Sequence, residues 1–327
     1  MCIRDRNIFM SKQTASNRGI IMIPYAYLVN SNTGVNIANR SKQVDIYMKN
    51  CCVACLSAKK YNDSDTDVAL VTNIDPPKEY RDILESHKIK IIHADFDLFN
   101  FSGEYTWALA FYKLCALHHV LHEYDYDYYA YLDSDVFIQS SFNNIWTECD
   151  AHILLYDINH GLQVKHYQHI LSEMRDFMPS LFSNGNLPTH YGGEFFAANR
   201  ANTLIFIKNC EEIYAEMCQQ KFNTTHGDEF IISIAADKLG SLIKNAGAYI
   251  YRFWTGSFRL ISACYMYNPV VVLHVPAEKE FGMLAVYDKY IKQGRLPHNI
   301  NKVYRLLHLT HPSLRTRIAQ LVKRFKH

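Results

Sequence analysis

The chain alternates short apolar runs with segments whose apolar residues recur at helical spacing. Strands are predicted by the runs "GIIMIPYAYLV", "VALVTNI" and "IKIIHADF". Helices are predicted by the segments between and after them, "SKQVDIYMKNCCVACLSAKKY", "PPKEYRDILESHK" and "EYTWALAFYKLCALHHVLHEY". With "YYAYLDSDVFI" as the next strand, four β-α repeats follow one another. This alternation indicates an α/β fold, Rossmann-like, with a mostly parallel central sheet and helices on both faces.

The length and the apolar content bound the domain organisation. A chain of 327 residues with 49% hydrophobic residues can bury one large core. We expect a main α/β domain over residues 18–285 and a short, basic helical extension at the C-terminus over residues 286–327. We expect residues 1–17 to be a disordered or non-native N-terminus, because "MCIRDR" resembles translated adapter sequence.

Charge and hydropathy indicate in which cellular compartment the protein is expected. The net charge of +2 conceals a basic end, "SLRTRIAQLVKRFKH", and no general nucleic-acid footprint follows from it. Residues 312–327 predict an amphipathic helix that could contact an anionic membrane surface, and packing on the domain is the alternative. No apolar run is long enough to span a bilayer, and no secretory signal is visible. We therefore expect a soluble cytoplasmic protein, with peripheral contact at the inner membrane face.

Nine cysteines in a chain without a visible secretory signal indicate reduced thiols. Cys52 and Cys55 have the spacing of a redox or zinc pair, but no second ligand pair occurs at metal spacing. We predict that these two residues are small apolar residues buried in a helix.

The most informative stretch is the end of the fourth predicted strand, where Asp133 and Asp135 flank Ser134. Open α/β sheets bind ligands outside the carboxyl ends of their strands. Two carboxylates so close repel each other unless a cation or hydrogen-bond donors offset their charges. Mg²⁺ or Mn²⁺, which prefer oxygen ligands, is the simplest explanation, and a turn or N-cap role is the alternative.

The wording "YLDSDV" resembles the D-x-D motif of the GT-A glycosyltransferases, and it is most similar to the retaining family 8. The resemblance runs through about residues 18–285, and its specific part is residues 128–146. It implies a GT-A catalytic domain in which Asp133, Ser134 and Asp135 bind Mn²⁺ or Mg²⁺ and the diphosphate of a nucleotide sugar, usually a UDP-sugar.

The same resemblance implies further ligands of the metal and the diphosphate. His274, at the end of the apolar run in "VVVLHVPAEKEFG", matches a late metal-binding histidine of the family. Lys279 and Lys113 match basic residues near the leaving diphosphate, although Lys113 could equally be a solvated lysine on a helix. The family pattern H-x-x-G-x-K-P-W is incomplete here, because the glycine and Pro-Trp are missing at the expected spacing.

Two further segments resemble the part of the family that surrounds the donor sugar. In "THYGGEFF", Gly192 and Gly193 are expected to allow close backbone approach, and Glu194 to face the sugar or the acceptor. In "NTTHGDEF", Asp228 is the first choice and Glu229 the second for the carboxylate beside the anomeric carbon. Complementing a helix dipole is the alternative for both acids.

The nucleoside is expected at the ends of the first two strands. Tyr25 could stack on the base, and Asn73 or Asp75 could bind the ribose, while core packing or a turn explains each equally well. In "FWTGSFR", Trp254 and Arg259 are weaker candidates for contacts with the acceptor, since a tryptophan is more often simply packed.

These residues and the resemblance to family 8 together imply a metal-dependent hexosyltransferase. It would move a hexose from a nucleotide-sugar donor to a saccharide or glycolipid acceptor, with retention of anomeric configuration. Two alternatives remain: a nucleotidyltransferase or inverting transferase of the same fold, and a non-catalytic glycan-binding or scaffold protein on a degenerate transferase fold.

Overall fold

The computed structural model describes residues 13–14, 18–28, 42–62, 65–100, 107–158, 164–183, 185, 187–255 and 270–310. The strands of these residues are β1 (Gln13–Thr14), β2 (Gly19–Tyr25), β3 (Thr66–Thr72), β4 (Lys90–His93), β5 (Tyr124–Asp125), β6 (Tyr128–Leu132), β7 (Val136–Ile138), β8 (Ile153–Asp157), β9 (Tyr191–Asn199), β10 (Ile243–Asn245), β11 (Ile250–Arg252) and β12 (Val272–His274). The α-helices are α1 (Gln43–Tyr61), α2 (Lys78–Ser86), α3 (Tyr112–Glu123), α4 (Asn143–Cys149), α5 (Val164–Phe177), α6 (Arg200–Gln220), α7 (Asp228–Leu239), α8 (Gly282–Gln293) and α9 (Ile300–Leu306).

The central sheet has seven strands in the order β10-β8-β9-β6-β2-β3-β4. Strand β9 runs antiparallel to its neighbours β6 and β8, and the other adjacent pairs are parallel. The α/β class with a mostly parallel sheet is therefore confirmed. The chain first builds the sheet outward from β2 through β3 to β4 and then returns to place β6 on the other side of β2. The space outside the carboxyl ends of β2 and β6 is thus a topological switch point, where such sheets bind ligands.

Helices cover both faces of this sheet. Side chains alternate between the two faces of a strand, so Ile21 and Ile23 of β2 join the core beneath α1, α4 and α8. Ile20 and Met22 join the opposite core, beneath α3, α6 and α7. Because both faces of β2 are covered, the strand is apolar throughout, as its sequence predicts.

The predicted strand "YYAYLDSDVFI" is divided into two strands that belong to different sheets. β6 ends at Leu132, and β7 resumes at Val136 in a three-stranded sheet of order β11-β12-β7. His274 of β12 is paired with Val136. The Asp133 amide donates to the Glu194 carbonyl at 3.1 Å, and the Val275 amide donates to the Asp135 carbonyl at 3.0 Å. The backbone around Ser134 is therefore held from both sides.

Helix α1 carries the Cys52-x-x-Cys55 pair, and both thiols are free and buried in the core. Burial raises the pKa of the Cys52 thiol to about 12, so it stays protonated at neutral pH. The prediction of small apolar residues inside a helix is confirmed.

The expected boundary between residues 285 and 286 falls inside α8. Met283, Val286 and Tyr287 of this helix belong to the core that also contains α1. The division into a main domain and an extension stays a prediction. The basic segment 312–327 and its membrane contact lie outside the described residues, as does nearly all of segment 1–17. Within the described ranges, no helix has the length and apolar character needed to cross a bilayer.

Candidate functional site

A cavity of about 570 Å³ opens outside the carboxyl ends of β2 and β6, at the switch point of the sheet. It is lined by ten of the residues predicted to bind the metal ion or the donor or to take part in the transfer: Tyr25, Lys113, Asp133, Ser134, Asp135, Glu194, Asp228, Glu229, His274 and Lys279. They come from six separate places in the chain and meet because strand ends and helix starts converge there. The structure thus brings together most of the predicted site.

Asp133, Asp135 and His274 form a cluster able to hold a metal ion, with one ligand atom from each lying within 4.8 Å of the others. The His274 Nε2 atom lies 3.4 Å from Asp135 Oδ2 and 3.6 Å from Asp133 Oδ2. The pairing of β12 with β7 produces this geometry, because it places His274 beside the residue that follows Asp135.

The cluster has polar atoms that lack hydrogen bonds. Both Asp135 carboxylate oxygens and both His274 ring nitrogens are buried without a contact of hydrogen-bond geometry among the described residues, although His274 Nδ1 lies at ion-pair distance, 3.3 Å, from Glu194 Oε1. The ion pair from Lys279 Nζ to Asp135 Oδ2, at 3.2 Å, compensates part of the charge. Buried carboxylate and imidazole groups in this state are suited to a divalent cation, since coordination would satisfy them.

Charge interactions within the cluster are strong. Burial raises the pKa of Asp135, but Lys279 and His274 together outweigh it and hold that pKa well below its usual range. Burial lowers the pKa of His274, but Asp135 and Glu194 outweigh it and raise the pKa to about 9. Asp135 is therefore a carboxylate at neutral pH, as a metal ligand must be, whereas an ion that bound His274 would have to displace its proton.

Arg252 is a central residue of the site that the sequence did not single out. Its Nε and Nη2 atoms contact Glu194 Oε1 and Oε2, both at 2.6 Å, and Nη2 also reaches Glu229 Oε1 at 3.0 Å. His190 contacts the other Glu229 oxygen at 2.9 Å. Burial raises the pKa of Glu229, but His190 and Arg252 together lower it to about 2. The available signal was a charged residue at the end of an apolar strand, in "YIYRF".

Lys113 lies between the Asp133–Asp135–His274 cluster and the start of α7. Its Nζ atom lies 2.9 Å from Asp133 Oδ1 and 3.1 Å from Asp228 Oδ2. Burial, followed by the charges of Glu229 and Asp133, raises the pKa of Asp228 to about 7 against the opposing effect of Lys113. The alternative of a solvated Lys113 does not apply, because its side chain is only 12% exposed.

The glycine pair before Glu194 makes room for two carboxylates. A Cβ atom on Gly192 would lie 1.9 Å from Glu194 Oε2, and one on Gly193 would lie 2.2 Å from Asp228 Oδ2. Contacts below 3.0 Å are not tolerated without a shift. Close approach to the backbone, expected from the sequence at these positions, is thus present, and it serves side chains of the site.

The cavity has an excess of negative charge. Among the described residues that line it, five are carboxylates and three are lysine or arginine, which gives a formal charge of −2 with neutral histidines and −1 with His274 protonated. Like charges gathered in a buried space repel each other. A divalent cation would balance this excess before an anionic ligand approached.

Of the three residues predicted to bind the nucleoside, one lines the cavity and two are not among its described lining residues. Tyr25 lines the cavity and stacks on Tyr47, with ring centroids 5.3 Å apart. The Asn73 side chain bonds to both the amide and the carbonyl of Tyr27, and Asp75 is almost fully exposed. Neither Asn73 nor Asp75 is among the described residues of the cavity, so their ribose contacts stay predictions.

Of the two candidates for acceptor contacts, Trp254 lines the cavity, and Arg259 lies outside the described residues.

A second polar cluster lies at the same cavity and consists of His169, Glu173 and His226. His169 and Glu173 are one turn apart on α5, and His226 belongs to the loop before α7. His169 and His226 line the cavity. Burial raises the pKa of Glu173, but hydrogen bonds from His226, Thr224 and Thr225 outweigh it and lower the pKa to about 2.

No protein-family model matches this sequence, and no curated protein sequence matches it. Solved structures similar to it include two with a TM-score of 0.48 each. The apo form of mouse xyloside xylosyltransferase 1 has 13% identity, over 79% of this chain and 96% of that chain. An active-site mutant of LgtC has 17% identity, over 78% of this chain and 86% of that chain. Similarity at this level carries no conclusion about activity.

Proposed function

We propose that this protein is a metal-dependent glycosyltransferase. It would transfer a hexose from a nucleotide sugar, with a UDP-sugar as the expected donor, to a saccharide or lipid-linked glycan with retention. The observation that carries the proposal is the cluster of Asp133, Asp135 and His274, with Lys279 beside it, in a cavity at the switch point of the sheet.

The cluster is suited to Mn²⁺ or Mg²⁺. Two carboxylates and one imidazole are an oxygen-rich ligand set that such ions accept, and the excess negative charge of the cavity favours them. A bound divalent cation would supply Lewis-acid stabilisation to the departing nucleoside diphosphate. The protein's part is to hold the three ligands in fixed positions, which the pairing of β7 with β12 supports.

Two lysines have separate tasks in this proposal. Lys279 lies against Asp135 on one side of the cluster, where its ammonium group would contact phosphate oxygens of the donor. Lys113 lies between Asp133 and Asp228 and would keep the two carboxylates from repelling each other. Both side chains are largely buried, so their charges act at low local dielectric and are only weakly screened.

Asp228 and Glu229 are placed beside the transferred sugar in this proposal. Asp228 contacts the lysine that also contacts the metal cluster, and Glu229 is fixed by Arg252 and His190. Retention would follow from attack by a carboxylate or from front-face attack in which the leaving phosphate accepts the acceptor's proton. In both routes the protein aligns donor and acceptor and stabilises the leaving group.

The testing experiment measures nucleotide release from UDP-, GDP- and CMP-sugars, with Mn²⁺ or with EDTA. The wild type should release nucleotide from one donor class with Mn²⁺ only, and Asp135→Asn should abolish the release. Asp95→Asn is the matched control, because Asp95 is an exposed aspartate after β4 on the same edge of the sheet.

The alternatives give different outcomes in the same assay. Release of pyrophosphate from nucleoside triphosphates, without release from nucleotide sugars, would replace the proposal by a nucleotidyltransferase. Failure of every donor, with or without Mn²⁺, would favour a glycan-binding or scaffold protein. The anomeric configuration of the product, read by NMR, separates a retaining transferase from an inverting one.

A further inference from the structure

We propose a second cation site, selective for Zn²⁺ or a similar first-row transition metal, formed by His169, Glu173 and His226 at the cavity. One candidate ligand atom from each residue lies within 4.8 Å of the other two. This site is chemically distinct from the Asp133–Asp135–His274 cluster, and it does not depend on the function proposed above.

The distances suit a tetrahedral ion. His226 Nδ1 lies 3.0 Å from Glu173 Oε2, and His169 Nδ1 lies 3.9 Å from Glu173 Oε1. Zinc bonds to nitrogen at roughly 2.0–2.1 Å in tetrahedral geometry, which requires ligand atoms about 3.4 Å apart. Small side-chain adjustments would therefore bring the three atoms onto one ion.

His226 would bind the ion through its Nδ1 atom. An ion between this atom and Glu173 Oε2, which lie 3.0 Å apart, would take the place of the proton that the ionised carboxylate accepts in its absence. The proton of the neutral imidazole would then be on Nε2.

Glu173 is itself held in place. Thr224 and Thr225 donate hydroxyl hydrogen bonds to its two oxygens at 2.5 and 2.6 Å, and the Thr225 amide donates at 3.0 Å. Carboxylates that bind metals usually keep such hydrogen bonds. The cluster therefore has a rigid carboxylate, one oriented imidazole, and a third ligand, His169, whose side chain is 59% exposed and accessible to an entering ion.

The two sites differ in the metals that they should prefer. Imidazole ligands favour zinc and related transition metals, whereas carboxylates favour Mn²⁺ and Mg²⁺. A cation held by His226 would also fix the loop that leads through Gly227, at a φ of 61°, into Asp228. The remaining coordination position would face the cavity, because His169 and His226 line it.

The test uses the full-length Asp135→Asn variant after chelation, titrated with Co²⁺ and then with Zn²⁺, because both ions bind more tightly than Mn²⁺ and would displace it from an intact Asp133–Asp135–His274 cluster. We expect one equivalent of Co²⁺ to bind with the visible absorption bands of a tetrahedral ion, and Zn²⁺ to displace it. His169→Ala and His226→Ala should each remove this equivalent. His93→Ala, an exposed histidine on β4, is the control and should leave it unchanged.

Variants separate this proposal from the proposed function. Asp135→Asn should lose Mn²⁺ binding and keep the Zn²⁺ equivalent, whereas His169→Ala should do the reverse. Since His169 is exposed, its loss should leave folding intact even if His226→Ala fails to fold. Absence of a Zn²⁺ equivalent in Asp135→Asn, or its persistence when His169→Ala is added to that variant, would overturn the proposal.

Discussion

The Nδ1 atom of His274 lies 3.3 Å from Oε1 of Glu194, a carboxylate that is completely buried. The Nε and Nη2 atoms of Arg252 in turn donate hydrogen bonds to the two carboxylate oxygens of Glu194. The imidazole is therefore oriented from behind, with Nε2 directed at Asp133 and Asp135. Partners of this kind behind a metal ligand are worth a factor of about 10–100 in metal affinity.

Replacing Glu194 by glutamine should weaken Mn²⁺ binding by about 10–100-fold. The amide keeps the shape of the carboxylate but loses the charge that orients His274 and neutralises Arg252. Calorimetric titration with Mn²⁺ measures the effect, and Glu85→Gln, at an exposed position on α2, is the control. An unchanged affinity in Glu194→Gln would show that Glu194 does not support the metal ligand.

Alanine at Gly193 should reduce turnover by about 100-fold, since a displacement of about 1 Å near the reacting groups can cost that much. The added Cβ atom would meet Asp228 Oδ2 at 2.2 Å. Affinity for Mn²⁺ should stay close to that of the wild type, because the metal ligands are not touched.

Gly192→Ala provides the comparison, because its Cβ atom would meet Glu194 and Arg252. In Gly192→Ala we expect Mn²⁺ affinity to fall in addition to turnover. Equal effects of the two substitutions on Mn²⁺ affinity would contradict the prediction that Glu194 supports metal binding and Asp228 supports turnover.

Asp228→Asn should lower kcat by at least about 100-fold and leave the Kd for Mn²⁺ unchanged. The substitution keeps the shape of a side chain that we place beside the sugar. Asp237→Asn, at an exposed position on the same helix, is the control and should behave like wild type. A normal kcat in Asp228→Asn would show that Asp228 is not the reacting carboxylate. Glu229→Gln would then be the next variant to measure.

His308 should make stability depend on pH. Its Nδ1 atom lies 2.7 Å from Glu278 Oε2, and this hydrogen bond raises the pKa of His308 against the effect of burial. A raised pKa in the folded state means that the stabilisation is complete below the unfolded pKa of about 6.5 and is lost as pH rises through the folded pKa.

Urea unfolding of the wild type and His308→Gln at several pH values measures this effect. The wild type should exceed the variant in free energy of unfolding below about pH 6.5, and the difference should shrink as pH rises above that value. His298→Gln, an exposed histidine, should show no such trend. A difference that is constant with pH would exclude a charged contribution from His308.

The sequence predicted those parts of the molecule that depend on local patterns. The fourth strand was recognisable because an apolar run ends in Asp133 and Asp135, and His274 because it ends another such run. Each of these signals is contained in a few adjacent residues. The α/β class followed from the alternation of such runs with helical segments.

The parts that were not predicted depend on contacts between distant residues. Arg252 of β11, a strand that pairs with β12, meets Glu194 of β9 and Glu229 of α7, which are 58 and 23 residues earlier in the chain. The break of the fourth strand after Leu132 depends on β12, which is more than 130 residues later. No local pattern carries such information.

The most direct test of the central claim is calorimetric titration of UDP into the wild-type protein, once with Mn²⁺ and once with EDTA. Asp133, Asp135 and His274 should make binding depend on the cation, because the cavity without it has an excess of negative charge. We predict saturable UDP binding with Mn²⁺, none with EDTA, and none for Asp135→Asn in either case. Equal UDP binding with and without Mn²⁺ in the wild type would contradict a metal-dependent nucleotide-sugar site.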